Sequence, residues 1–393
     1  MSIVKITPPR LRTMEQEAKR TATWLELFYD LAFVVAVATL SGRLLEDLSG
    51  FPAYFGYFAL IWWLWASHTY YADRYDTDDL VYRLLAAAQM VAVVVIAASL
   101  SGDTESTTAF ALGYALSRWV LVIMYSRAYR HVAETRDLVK GYLIGFGLGA
   151  VIWTVSALVP EEARFAFWAI ALIVDLATPW VMRRAQAKVP LDVSHLPERF
   201  GLFTILVLGE SIAAVVAGVA HQSWSFAGVI TATFGIGVAT AMWWMYFDNA
   251  TGTVVRREPH IRRTWRPTAW IYTHLLLAAS LAAVGVALEL AVIDADGAPM
   301  PPRDRWLFVG SAAVGLAAMA LIQYSSSAPG NRQSHTLIAL NRLLGIPFLV
   351  LVGLAGSLSA PWVTFGVLGI LVAQVIGDAR LGTGPDPESG VFG

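Results

Sequence analysis

Residues 24–40 read WLELFYDLAFVVAVATL, a run apolar enough to cross a membrane as a helix, and it carries Glu26 and Asp30. Four residues apart, the two carboxylates share one helix face. A carboxylate at the bilayer centre costs roughly 2.5–3.5 kcal/mol on insertion scales. That face must therefore look into protein, a wet cavity or the headgroup region. Working outward, apolar runs of about twenty residues recur along almost the whole chain, each long enough to cross a hydrocarbon core of about 30 Å. Of the 393 residues, 57% are hydrophobic and 15% charged. Soluble domains carry about 25% charged residues. The mean hydropathy is +0.58.

These features predict an all-α integral membrane protein with about twelve transmembrane helices, over 22–43, 50–71, 80–101, 106–127, 138–159, 162–183, 197–219, 224–247, 266–290, 305–325, 335–356 and 360–378. Residues 1–21 read as a cytoplasmic N-terminal arm with Lys5, Arg10, Arg12, Lys19 and Arg20, and 381–393 as a disordered Gly/Pro-rich tail. The absence of Cys excludes disulfides and Cys-ligated metals. The first apolar run is long, acidic and preceded by about twenty polar residues, so it reads as an uncleaved anchor and not a secretory signal.

Orientation follows from Lys and Arg placement. With the N-terminus inside, only Arg43, Arg164, Arg303 and Arg305 of the 28 basic residues fall in outer segments, and Arg118 falls within a span. Both termini are expected in the cytoplasm, in the cell's cytoplasmic membrane. The chain also echoes itself. Leu27-Phe28 recurs as Leu202-Phe203, Trp62-Trp63-Leu64-Trp65 as Trp243-Trp244-Met245-Tyr246, and Tyr82 as Tyr272. Six spans per copy is an even number, so the halves 22–190 and 191–380 would be parallel six-helix repeats, with sites tending to lie between them. Chance remains the plainer alternative, because aromatic pairs are common at membrane interfaces.

Several stretches resemble the bacterial low temperature requirement A family over nearly the whole chain. They are Trp24–Asp30; Trp62-Trp63 followed by Tyr70–Asp79; His195–Phe203 running into Leu208-Gly209-Glu210-Ser211; Tyr246-Phe247-Asp248; and Tyr272-Thr273-His274. The resemblance implies a polytopic membrane protein and marks these positions, but it supplies no mechanism. Phe28–Ala36 is also similar to the first-helix signature of the lysosomal potassium and proton channel family, which builds pores from six-helix units. The usual Ser before the Asp and Gly after it are Tyr29 and Leu31 here. Those departures leave an analogy of plan and carry over no pore chemistry.

The ionisable residues inside the spans are the candidate site. Toward the cytoplasmic end lie Glu26, Asp30, His68, Arg83, His274 and Arg342; near mid-depth lie Arg118, Asp175 and Glu210. Such residues mark ion or proton paths, or pair to lock helices together. Asp30, Glu210 and Glu26 are the expected ion- or proton-binding groups. His68 and His274 are expected to relay, and His195, Glu198 and Arg199 to gate, although His195–Arg199 would equally serve as an ordinary helix start. Arg118, Asp175 and Arg83 read as a charge lock. Glu26 could instead sit at headgroup level, or pair with Arg20 or Arg83. Gly209, beside Glu210, permits either close packing or a helix break. Asp73, Asp76, Asp78 and Asp79 could bind a divalent cation, or cap helices on a solvated turn. The basic run Arg256–Arg266 suits anionic lipid. The Trp clusters read as core or interface aromatics, with stacking on a cation or sugar as the alternative.

No HEXXH or CXXC pattern occurs, so a zinc enzyme is not expected, and with no nucleophile–base pair, metal set or nucleotide motif in the sequence no catalytic residue, metal or cofactor is expected. The expected partners are membrane lipids and a small ion or solute; a homo-oligomer stays open, and nothing points to nucleic acid. The leading expectation is translocation of a proton, another cation or a small solute through the interface between halves. An intramembrane enzyme acting on lipid or isoprenoid, or a non-transporting scaffold or sensor in cold or envelope adaptation, stands as the alternative.

Overall fold

Helix is the form in which a chain this apolar can satisfy its own backbone hydrogen bonds inside a membrane. The computed structural model describes residues 6–11, 22–76, 78–101, 106–186, 188–189, 195–221, 224–249, 266–326 and 332–381. Most of the N-terminal arm, the basic run except Arg266, and the tail beyond Leu381 lie outside the described residues. Twelve long helices are present among them. They are α1 Trp24–Glu46, α2 Phe51–Arg74, α3 Leu80–Ser99, α4 Thr107–His131, α5 Arg136–Ser156 and α6 Glu161–Val181, then α7 His195–His221, α8 Phe226–Asn249, α9 Arg266–Ile293, α10 Pro302–Ser325, α11 Arg332–Leu354 and α12 Ala360–Leu381.

Eleven of these are long and apolar enough to span a bilayer. The exception is α2, whose second half carries Ser67, His68, Thr69, Asp73 and Arg74. It is nonetheless buried on every side from Tyr57 to Arg74. A helix buried all round belongs to a core.

The helix starts are written locally. Thr23 and Glu26 form a reciprocal cap: Thr23 N–H donates to Glu26 Oε2 at 2.8 Å, and Glu26 N–H donates to Thr23 Oγ1 at 3.3 Å. This is the Thr-x-x-Glu capping box. Asp79 caps α3 by accepting from Tyr82 N–H at 2.9 Å, and Ser106 caps α4 through Ala109 N–H at 3.1 Å. Two of the arginines in predicted outer segments close helix ends. Arg164 donates to the Ser156 and Val159 carbonyls, and Arg305 to those of Met300 and Gly353. Both are buried.

Two compact units result. The first comprises Met1–Arg43 and Gly56–Arg199, the second Leu44–Phe55 and Phe200–Gly393. In the first, α3, α4, α5 and α6 pack in sequence. Gly141, Gly145 and Gly149 stand four apart on α5, where an added Cβ would strike Met182, Thr178 and Asp175. Small residues at this spacing bring membrane helices close. Outside the helices, β1 (Arg10–Leu11) pairs antiparallel with β2 (Tyr75–Asp76) at the end of α2. In the second unit α9 packs on α10, α10 on α11, α11 on α12, and α8 on α12. Close approach there falls at Gly285, against Ser211, and at Gly218, against Val292.

Candidate functional site: a buried carboxylate, arginine and histidine centre

Within the first unit, parts of three helices converge on one cluster of charge. Glu26 and Asp30 come from α1, Asp73 from the last turn of α2, and His195 and Arg199 from the first turn and a half of α7. Asp30, Asp73, His195 and Arg199 are each 0% exposed and Glu26 is 3% exposed. The groups alternate in sign along a chain of contacts. Asp73 Oδ1 lies 3.0 Å from His195 Nδ1, and His195 Nε2 lies 3.4 Å from Glu26 Oε2. Glu26 Oε1 lies 3.5 Å from Arg199 Nη1, and Arg199 Nη2 donates to Asp30 Oδ1 at 2.5 Å. Trp65 on α2 donates its indole N–H to the same Asp30 oxygen at 2.8 Å. Asp30 Oδ2 has no hydrogen-bond partner among the described residues, and neither Arg199 Nε nor Nη1 donates a hydrogen bond of normal geometry. Asp30 Oδ2 and Arg199 Nε thus stand open, while Arg199 Nη1 keeps its 3.5 Å contact with Glu26. Buried polar groups left in this condition are where ordered water or an ion is held.

Spacing explains the convergence. Residues 26 and 30, and likewise 195 and 199, stand four apart, so each pair shares a face. The i,i+4 face of α1 meets that of α7, and Asp73 closes the cluster from α2.

Polar groups continue along α2. Tyr29 stacks on His68 with ring centroids 4.1 Å apart and donates its hydroxyl to Gln89 at 3.2 Å. The Tyr82 hydroxyl lies 3.4 Å from His68 Nε2. At the residue next to His68, Ser67 accepts from Arg118 Nη1 at 2.8 Å, and Arg118 Nε lies 2.9 Å from Asp175 Oδ2. Arg118 also donates to the Tyr114 hydroxyl at 3.1 Å and lies over the Phe146 ring. Both members of this ion pair are fully buried among aromatic rings.

Other expected site residues fall elsewhere. Arg83 is exposed and forks onto Asp78, at 2.7 and 2.8 Å, and is not a partner of Glu26. Glu198 is half-buried and accepts from Ala22 N–H at 3.2 Å, so it does not pair with Arg199. Glu210 belongs to the second unit, is half-buried, and has no ion pair among the described residues. Helix α7 runs unbroken through Gly209, where an added Cβ would meet no atom within 4 Å, so that glycine provides neither a break nor a packing seat.

His274, also in the second unit, sits between the Trp270 carbonyl, 2.7 Å from Nδ1, and the Tyr246 hydroxyl, 3.0 Å from Nε2. A neutral imidazole satisfies both by donating from Nδ1 and accepting at Nε2. Arg342 there pairs with Asp378 at 3.1 Å and donates to the Met245 and Met319 carbonyls.

Three of the four expected carboxylates divide among separate tasks, and the side chain of the fourth, Asp76, lies outside the described residues. Asp73 joins the centre, Asp78 holds Arg83, and Asp79 caps α3 while binding Arg127 at 2.7 Å. Burial works to raise the pKa of Asp79, but hydrogen bonds from Arg127 and from the Tyr82 and Thr7 amides leave it below the ordinary carboxylate value. Among the described residues, no three His, Asp or Glu side chains are arranged to hold a metal ion. Sequence reasoning missed Trp65, Gln89 and the recruitment of Asp73. Its one available signal for Asp73 was position: the residue ends a helix and does not begin a loop.

Fold and site together define a polytopic helical membrane protein with charge buried among its spans. Residues 21–376 match the family described as Bacterial low temperature requirement A protein (LtrA), and the chain belongs to that family. It is 26% identical over 273 residues to an uncharacterised protein of Rhizobium meliloti (strain 1021). That match covers 66% of each chain, just under two thirds. No solved structure matches it.

Proposed function

We propose that this protein translocates a proton, another cation or a small solute, and that the Glu26–Asp30–Asp73–His195–Arg199 centre is where that species binds. The observation that carries the reading is Asp30. It is a fully buried carboxylate in a spanning helix, with one oxygen held by Arg199 and Trp65 and the other open. Replacing a buried ion pair by apolar side chains is often neutral or stabilising. Three carboxylates kept at one buried point are therefore poorly explained by stability. The polar line through His68, Ser67, Arg118 and Asp175 supports passage along α2 of the first unit. Glu210, half-buried without an ion pair, serves as a second carboxylate in the other unit. The placement of Lys and Arg supports a cytoplasmic-membrane protein with both termini inside. Twelve long helices and the paired sequence echoes support two parallel repeats.

Purified protein in liposomes should pass a proton or cation current that Asp30→Asn reduces at least tenfold, with Glu210→Gln tested beside it. Folded wild-type protein that passes no tested ion would remove the reading. Full activity of Asp30→Asn would remove the site.

A further inference from the structure

Resting on that reading, we propose that the species bound is a proton taken up at His195, and that metal cations are excluded from the centre. His195 presents a carboxylate oxygen to each ring nitrogen, Asp73 at 3.0 Å and Glu26 at 3.4 Å. A neutral imidazole has one N–H and one lone pair. Between two carboxylates it must point that lone pair at an anionic oxygen. A proton on each nitrogen turns both contacts into charge-assisted hydrogen bonds. His274 shows the opposite design, a carbonyl on one nitrogen and a hydroxyl on the other, which a neutral ring satisfies.

Charge points the same way. Glu26, Asp30 and Asp73 place three carboxylates around His195 and Arg199, and Arg199 pairs with Glu26 and Asp30. One proton on His195 offsets the negative charge of the carboxylates it faces. Among the other described groups nearby, Asp78 is paired with Arg83, Asp79 with Arg127, and Arg118 with Asp175, while His68 faces Tyr29 and the Tyr82 hydroxyl. Glu198 is turned to the Ala22 amide, and Tyr29 and Tyr82 are neutral phenols near Arg199.

The seat a metal ion would need, between Glu26 and Asp30, is filled by the Arg199 guanidinium, which stays charged in proteins. Release is a balanced step. The imidazolium N–H bond breaks as an O–H bond forms on Glu26 or Asp73, and one positive and one negative charge vanish together. The open Asp30 oxygen lies further along the chain of contacts, beyond Arg199, to accept the proton through water.

Two measurements on the full chain decide this. In protein labelled with 13C and 15N at histidine, the His195 ring should show both nitrogens protonated at pH 7, its signal identified by its loss in His195→Gln. A neutral tautomer overturns the proposal. In liposomes, proton flux should stay within twofold when choline, sodium or potassium is the accompanying cation, and fall at least tenfold in His195→Arg. If His195→Arg does not fold, Asp73→Asn should give the same loss. A sodium or potassium flux that survives His195→Arg but not Asp30→Asn would overturn proton selectivity while leaving translocation intact. Absence of every flux would fail the translocation reading, with the histidine spectrum still deciding the proton site.

Discussion

Each unit has a helix segment buried on every side, and the two segments are made of different material. From Tyr57 to Arg74, α2 carries Trp, Tyr, Ser, His, Asp and Arg, whereas from Leu277 to Leu288 α9 is Leu, Ala, Val and Gly with a single Ser. The echoed aromatic motifs diverge in the same way. Trp62, Trp63 and Trp65 are fully buried in the first unit, and Trp243 and Trp244 are roughly half exposed in the second. The histidines follow suit: His195 lies between carboxylates, and His274 between neutral groups. Small apolar residues allow helices to approach closely and settle there. Buried charge is costly and imposes conditions on its neighbours. Apart from its buried Arg342–Asp378 pair, the second unit reads as packing, and the proposed binding centre lies in the first.

The largest effect should come from removing Arg199. In Arg199→Met, Asp30 and Glu26 lose their shared cation while still buried, and breaking a buried pair this way costs about 3–5 kcal/mol. Thermal unfolding in detergent should register that loss. Arg199→Met combined with Asp30→Asn should recover part of it, because the uncompensated charge is gone. Simple additivity of the two substitutions would show that the contact is not energetically coupled.

Next is the Arg118–Asp175 pair, which tests where the task ends. Arg118→Leu alone should cost a similar amount, about 3–5 kcal/mol, while Arg118→Leu with Asp175→Leu should be near neutral or stabilising. If the double variant still passes ions in liposomes, this pair is a lock and the conducting groups stop at His68. If it is stable but silent, the polar line is functional along its whole length.

The contrast between the units also explains what could be read in the chain. Spans were legible because length and hydropathy are local properties, and every expected helix lies within a few residues of an observed one. Burial of Asp30 followed from its depth in α1 and the cost of facing lipid. The identity of its partner did not, because Arg199 is 169 residues away and helix-to-helix contacts leave no local signature. Asp73 was misplaced for a related reason. It stands in a run with Asp76, Asp78 and Asp79, and the helix end at Arg74 puts it in the core and the others beyond it. Gly209 misled in the other direction, since glycine permits close approach without requiring it, and the approach on that helix falls at Gly218.

In the second unit the sensitive positions should be steric. An added Cβ at Gly285 would stand 3.0 Å from Ser211 backbone and side-chain atoms. Gly285→Val should therefore cost about 1–3 kcal/mol by overpacking, with ion selectivity unchanged. Tyr246→Phe should cost less, about 0.5–1.5 kcal/mol for one hydrogen bond. It should leave the pH dependence of flux as in wild type, because His274 is satisfied as a neutral ring. A shifted pH profile would mean that the second unit shares the proton chemistry.

The smallest effects should separate the units by the sign of their response to pH. Asp79, in the first unit, is held below the ordinary carboxylate value by Arg127 and two backbone amides despite partial burial. A depressed carboxylate contributes stability that is present at neutral pH and lost as pH falls through its folded value. Asp294, just beyond α9, is raised from 3.8 to about 7 by burial first and then by the neighbouring Asp304 carboxylate. The folded protein holds a proton there that the unfolded chain has released, so this contribution is full below about pH 4 and disappears as pH rises through about 7. Asp79→Asn should therefore lower the unfolding temperature at pH 7 and by less at pH 4. Asp294→Asn should change little at pH 4 and raise it at pH 8, where the native carboxylates repel. Parallel melts of the two variants from pH 4 to 8 should diverge with opposite slopes relative to wild type, and matching slopes would show that the carboxylates of both units sit in one kind of environment.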